Sequence, residues 1–122
     1  MIDFDVHSKF SLSSDDSFAE LVPGLLIEGE EVIGSYSTGR DGVVFTNLRV
    51  MPIDVQGFTG KKRDFTSIPY KKVTAYSVET AGTLDADVEL DLVISGLGKV
   101  KFRFYNLEEL VEISRHIAKA IL

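Results

Sequence analysis

The chain contains no cysteine. That absence removes disulfide staples, thiolate nucleophiles and Cys-based zinc sites together, and leaves stability to packing and strand pairing. Long apolar runs are missing too. The longest, Leu21 to Ile27, falls far short of the ~20 residues that a membrane-spanning helix needs. Positive charge is in short supply, with 13 Lys and Arg against 19 Asp and Glu and a formal net charge of −6. This balance opposes nucleic acid and anionic lipid, whose binding rests on counterion release or on basic patches. The opening Met1-Ile-Asp-Phe-Asp-Val6 carries acids where a secretory signal carries bases, and has neither a continuous apolar core nor a small-residue cleavage site. The expected location is the cytoplasm, and the lack of cysteine is compatible with a reducing compartment. The two histidines, His7 and His116, have no partners at a useful spacing, and no motif joins a serine nucleophile to a base and an oxyanion hole. No catalytic residue, cofactor or metal is assigned, and the expectation is a protein that is not an enzyme.

What remains is 122 residues, enough for one domain with a single core. Residues 1–26 read as an N-terminal arm followed by a short helix. Phe4, Val6, Phe10 and Leu12 alternate weakly among polar residues, and Ser17-Phe-Ala-Glu20 has the spacing of a capping box ahead of Pro23-Gly24. From residue 27 the period changes to two, with β-rich runs separated by turn residues, as in an antiparallel all-β domain. Glu31 to Thr38 is the first run. Val43 to Thr46 and Arg49 to Met51 form a hairpin across Asn47-Leu48, with asparagine expected in the left-handed region. Pro52 cannot donate to a ladder, so its strand is expected to lie at an edge there or to bend. Arg63 to Ile68 and Val73 to Glu79 are further strands.

The next hairpin permits a sharper deduction. Asp85, Asp87, Glu89 and Asp91 alternate with apolar residues, and so do Lys99, Lys101 and Arg103. A one-residue slip would move a whole apolar set into water, so odd positions must pair with odd, which excludes a two-residue loop. A three-residue turn over Gly96-Leu97-Gly98 is predicted, with the acidic ladder opposite the basic one. The chain ends on one amphipathic helix. Asn106 is its N-cap, Glu108 and Glu109 sit in its first turn, and Arg115, His116 and Lys119 lie nearer its C-terminus.

Several words of this sequence resemble one family. Arg40-Asp41 is followed by Val44-Phe45-Thr46-Asn47 and Arg49, then by Gln56-Gly57 with Thr59-Gly-Lys-Lys62, Ser67-Ile-Pro-Tyr70, and Ser77-Val-Glu-Thr-Ala-Gly82 with Asp85, Asp87, Glu89 and Leu90. Together they resemble the bacterial pleckstrin-homology (PH) domain family over about residues 28–105. The resemblance implies a β+α fold. About seven strands would form a PH-like barrel of two near-orthogonal antiparallel sheets, capped by the C-terminal helix, over residues 27–122. It also implies ring-like homo-oligomers and no enzymatic activity.

Two functions follow from this reading. The first is a self-assembling scaffold or protein-interaction module, whose partner is itself and an unknown protein or peptide bound by strand addition. Its candidate interface residues are Phe4, Val6, Phe10 and Leu12 of the arm and the acidic ladder Asp85, Asp87, Glu89 and Asp91. The alternative is a membrane-recruitment module that binds anionic lipid through Lys61, Lys62 and Arg63, with Arg40 on the short first hairpin. Net charge favours the first. Acids spaced every two residues along a strand form a line about 7 Å per step, not a cage, so no metal is expected there.

Overall fold

Among the described residues, 1–82 and 87–122 of the computed structural model, ten strands form two sheets and one long helix closes them. The first sheet holds β2 (Ser13–Ser14), β3 (Val32–Thr38), β4 (Asp41–Thr46), β5 (Arg49–Gln56) and β6 (Lys62–Phe65) in that order, with β7 (Ile68–Pro69) also paired to β5. The second runs β1 (Lys9–Ser11), β10 (Gly98–Phe104), β9 (Val88–Ile94) and β8 (Val73–Glu79). The helix α1 spans Leu107–Ile121. Seven of these strands, β3 to β6 and β8 to β10, are the seven that the sequence pattern predicts.

The β9–β10 register is the one that the apolar alternation demands. Lys101 lies opposite Asp91 and Arg103 opposite Glu89. Three residues do make the turn, but they are Ser95-Gly96-Leu97, because Gly98 already pairs with Ile94. Gly96 and Gly98 take φ of 86° and 98°, a region closed to most side chains. Asp85 lies outside the described residues.

The β4–β5 hairpin crosses Asn47-Leu48 as predicted, yet no residue other than glycine has positive φ among the described residues. Side chains hold this turn instead. The Thr46 hydroxyl accepts from the N–H groups of Leu48 and Arg49, while Asn47 accepts from Glu31 N–H and donates to Gly29. Pro52 is not at an edge, since β5 lies between β4 and the β6/β7 pair. Its carbonyl accepts from Thr66 N–H, and in an antiparallel ladder a residue's N–H and C=O face the same side. The missing N–H therefore falls where the neighbouring strand is interrupted between Phe65 and Ile68.

Both sheets turn their apolar faces onto one core. Val43, Phe45 and Val50 meet Leu90, Leu92, Val100, Phe102 and Phe104, and Leu110, Ile113 and Ile117 of α1 cover the open side. Aromatic rings knit the layers, with Phe45 to Phe102 at 5.2 Å and Tyr36 to Phe104 at 5.3 Å between ring centroids, both edge to face. Each such side chain contributes about 1.5–3 kcal/mol of burial. The helix starts as its sequence indicates, with the Asn106 side chain accepting from Glu109 N–H.

The first 27 residues depart most from expectation. The short helix is absent: Ala19–Leu21 and Pro23–Leu25 form two single 3-10 turns. The Ser17–Glu20 capping box does not close, because Asp15 takes both the N–H and the hydroxyl of Ser17. These turns lay Val22 on Val44, Met51 and Ile53 on the outer face of the first sheet, with Phe18 beside them. The Phe18 ring rests directly on Gly42, where a methyl group would collide with it.

The arm is not an appendage. Its β1 pairs parallel with β10 and its β2 antiparallel with β3, so it bridges the two sheets. Ile2, Phe4, Phe10 and Leu12 are buried in the main core, and Phe10 stacks on Phe102 at 5.4 Å. Phe4, Phe10 and Leu12 are therefore spent within the chain and are not available as an interface. Of the four arm residues only Val6 is exposed.

Candidate functional site

Three surfaces stand out, the first two holding residues that the sequence singles out. The first is the rim where the β3–β4 and β5–β6 turns meet. Arg40 donates to the carbonyl of Gly57, and Gly60 N–H closes onto the same carbonyl. Gly57 and Gly60 adopt φ of 78° and 69°, and this tight loop holds the Phe58 side chain fully exposed at its tip. Lys61, Lys62 and Arg63 follow, all exposed. However, Lys62 and Arg63 are successive residues of β6 and point to opposite faces. The hydrogen bond from the Met1 ammonium holds the Asp64 carboxyl below its ordinary value, and the charge of Lys62 adds to the lowering. The basic run is thus divided between two faces, with Arg40 turned inward onto the loop.

The outer face of the second sheet is the next surface. The Lys101 ammonium lies 2.7 Å from Glu89 and 3.8 Å from Asp91, and Arg103 lies 3.8 Å from Glu89 and 3.9 Å from Asp87. The hydrogen bond from Lys101 holds the Glu89 carboxyl below its ordinary value, and the same bond raises Lys101. The acids Asp87, Glu89 and Asp91 therefore spend their charge across their own hairpin. Among the described residues no group of three or more His, Asp or Glu is placed to hold a metal.

Beside this face runs β8, the third surface. It pairs with β9 on one side, and among the described residues no strand pairs with the other. Its sequence Val-Thr-Ala-Tyr-Ser-Val-Glu carries one charge and no proline, and five of its seven residues are exposed. Natural edge strands are usually short or blunted by charge, proline or cover. This one is long and uncharged until its last residue.

One constellation escaped sequence reasoning. The Glu30 side chain is 1% exposed and receives Arg49 through both oxygens, at 2.8 Å from Nε and 2.9 Å from Nη2. Thr46 Oγ1 and Ile27 N–H complete its shell at 2.7 and 3.1 Å. The guanidinium goes on to donate to Leu25 O and to Ser67 Oγ, and the Tyr70 hydroxyl donates to Thr46 O at 2.6 Å. Burial alone would raise the Glu30 carboxyl. The hydrogen bonds from Arg49, Thr46 and Ile27 and the charge of Arg49 together outweigh it and leave the pKa lowered. Thr46, Asn47, Arg49, Ser67 and Tyr70 are among the family words noted above, and in this chain hydrogen bonds join them around the 25–31 loop. The network ties the 25–31 loop, the β4–β5 turn and the Ser67–Tyr70 corner into one unit, with every polar group partnered.

Two sheets around one core, closed by a C-terminal helix, define a PH-like domain. The comparisons with known proteins agree. A family model described as "Bacterial PH domain" matches residues 2–121, so the arm falls within the match. The chain is 42% identical over 110 residues to the uncharacterised protein YjqA of Bacillus subtilis (strain 168), covering 88% of each chain. Among solved structures it is similar to a DUF1696 family protein with a pleckstrin-homology domain from Shewanella loihica PV-4, with 37% identity, a TM-score of 0.68 and coverage of 94% of this chain and 99% of that one. A pleckstrin homology domain from Shewanella amazonensis SB2B matches at 39% identity and a TM-score of 0.57 over 90% of this chain and 92% of the other. The chain belongs to the bacterial PH domain family. No helix among the described residues is long and apolar enough to cross a membrane.

Proposed function

We propose that this protein is a non-enzymatic cytoplasmic interaction module that assembles with copies of itself, in ring-like form, and takes up partner proteins or peptides by strand addition at β8. The observation that carries the reading is the edge of β8, seven residues long with a single charge at its end and, among the described residues, no strand paired to its outer side. Its outward backbone groups can be satisfied by a strand of another chain, which supplies affinity through main-chain hydrogen bonds. Exposed Val78 and half-buried Tyr76 add apolar contact beside that edge.

Light-scattering mass across a concentration series tests it. The protein is expected above monomer mass, and the double substitution A75K/S77K, at two exposed edge positions, is expected to move it toward the monomer. Both side chains leave the core untouched, so the melting temperature should hold. A monomer mass at every concentration together with no captured partner peptide would sink the proposal.

A second reading, recruitment to an anionic membrane, is supported by Phe58, a fully exposed aromatic at the tip of a glycine-bracketed loop directly before Lys61 and Lys62. An aromatic ring entering the interface beside basic residues is a recognised peripheral-binding arrangement. Liposome flotation with and without anionic lipid decides it. Salt-sensitive flotation that F58S abolishes would support this reading, and indifference to lipid charge would remove it.

A further inference from the structure

We propose that α1 pairs antiparallel with α1 of a second copy about a two-fold axis, through the stripe Glu108, Glu112, Arg115 and Lys119. The proposal rests on the self-assembly reading and adds to it a specific contact separate from the β8 edge. The four residues are spaced four, three and four apart, the interval that keeps a stripe straight along one helix face. All four are exposed, and none makes an ion pair among the described residues.

Within one chain only Glu112 and Arg115, at i, i+3, stand beside an opposite charge of the stripe. Glu108 and Glu112 are neighbours at i, i+4, and so are Arg115 and Lys119, so each half of the stripe sets like charges side by side. An antiparallel partner gives each of the four an opposite charge across the contact. A two-fold axis opposite the point midway between Ile113 and Ser114 sets Glu112 of one copy against Arg115 of the other. The same axis brings Glu108 against Lys119, so a single register satisfies both pairs, each made twice by symmetry. Leu107, 45% exposed, and half-buried Val111 flank the stripe and supply the apolar part of the contact. An open groove of about 530 Å³ runs along this face, lined by these residues with His116. The inner face, Leu110, Ile113 and Ile117, is committed to the core, so the pairing requires no rearrangement of the fold. One short helix from each copy gives a small contact, which makes the association dependent on concentration and on salt.

Charge reversal at the centre of the stripe tests the proposal with the full chain, in the A75K/S77K background that removes strand addition. E112R and R115E each set like charges across the axis and are expected to weaken self-association about tenfold or more. Mixing the two in equal amounts restores opposite charges, and so does the double variant E112R/R115E. Recovered mass in both cases, lost again in high salt, is the expected result. Circular dichroism of each variant confirms that the helix is intact. If A75K/S77K associates and neither single reversal changes its mass, helix pairing is overturned while the self-assembly reading stands. Weakening by the single variants without recovery in the mixture overturns the register. A monomer mass for both the parent protein and A75K/S77K at every concentration overturns the two readings together.

Discussion

Replacing Arg49 with methionine is expected to destabilise the fold by about 3–5 kcal/mol, because it leaves the buried Glu30 carboxylate without its charge partner. Methionine keeps much of the packing volume, so the loss reports the ion pair more than a cavity. E30Q is expected to cost less. It preserves shape and one acceptor, and Arg49, with a side chain 21% exposed, can still turn toward water. The double variant E30Q/R49M should be more stable than the sum of the single losses predicts, since no buried charge is left unpaired. Urea melts of the four proteins close the cycle, and strictly additive losses would show that the pair is not coupled.

The pH dependence has a definite sign. In the parent protein the Glu30 carboxyl is held below its ordinary value of 4.5. Its contribution is therefore complete above that value and is lost as the pH falls through the lower, folded-state value. In R49M the first of the lowering hydrogen bonds is gone while burial, which raises the carboxyl, remains. The carboxylate then opposes folding at neutral pH and is relieved on protonation. The stability gap between the parent protein and R49M should narrow as the pH falls from about 7 to about 4. A constant gap would place the loss in packing and not in the charge.

This network marks the boundary of what the chain discloses in one dimension. Features fixed by neighbours in sequence were legible: the odd-to-odd register of β9 and β10, the Asn106 cap, and the bounds of β8. Each follows from local periodicity or from one short side-chain bond. Glu30 and Arg49 are 19 positions apart, and neither spacing nor composition distinguishes them from the exposed acids and bases around them. The only signal was indirect, in that Thr46, Arg49, Ser67 and Tyr70 belong to the words that carry the family resemblance. At the Asn47 turn the expected backbone solution lost to a side-chain one, because the Thr46 hydroxyl could reach two N–H groups at once. From Asp87 to Asp91 the acidic ladder was correctly matched to the basic one. The basic loop looked like one patch only because sequence order hides that Lys62 and Arg63 face opposite ways. Phe58 gave no periodic signal at all, and its exposure comes from the glycines on either side.

Removing residues 1–12 is expected to abolish cooperative folding, and F10A alone to cost about 3–5 kcal/mol, the range for truncating a buried aromatic ring. The first residues read as an arm in sequence because the four large side chains are spread thinly and no local turn announces a strand. Its partner, β10, lies roughly ninety positions away, and parallel pairing of that kind leaves no hairpin signature. Yet Lys9 pairs with Lys101, Phe10 with Phe102 and Ser11 with Arg103, and Leu12 N–H and Lys101 N–H carry the backbone bonding past both ends of β1. Deletion would bare the β10 edge and the ring of Phe102 at the same moment, and would strip Ile2, Phe4, Phe10 and Leu12 from the core. An exposed apolar edge invites non-native pairing, so the truncated chain should aggregate instead of yielding a smaller assembly. Thermal melts separate the two ideas of the arm. If it served only to reach a neighbour, F10A would lower the assembly mass and leave the monomer's melting temperature unchanged. A role inside the fold lowers the melting temperature at every concentration, including those at which the protein is monomeric.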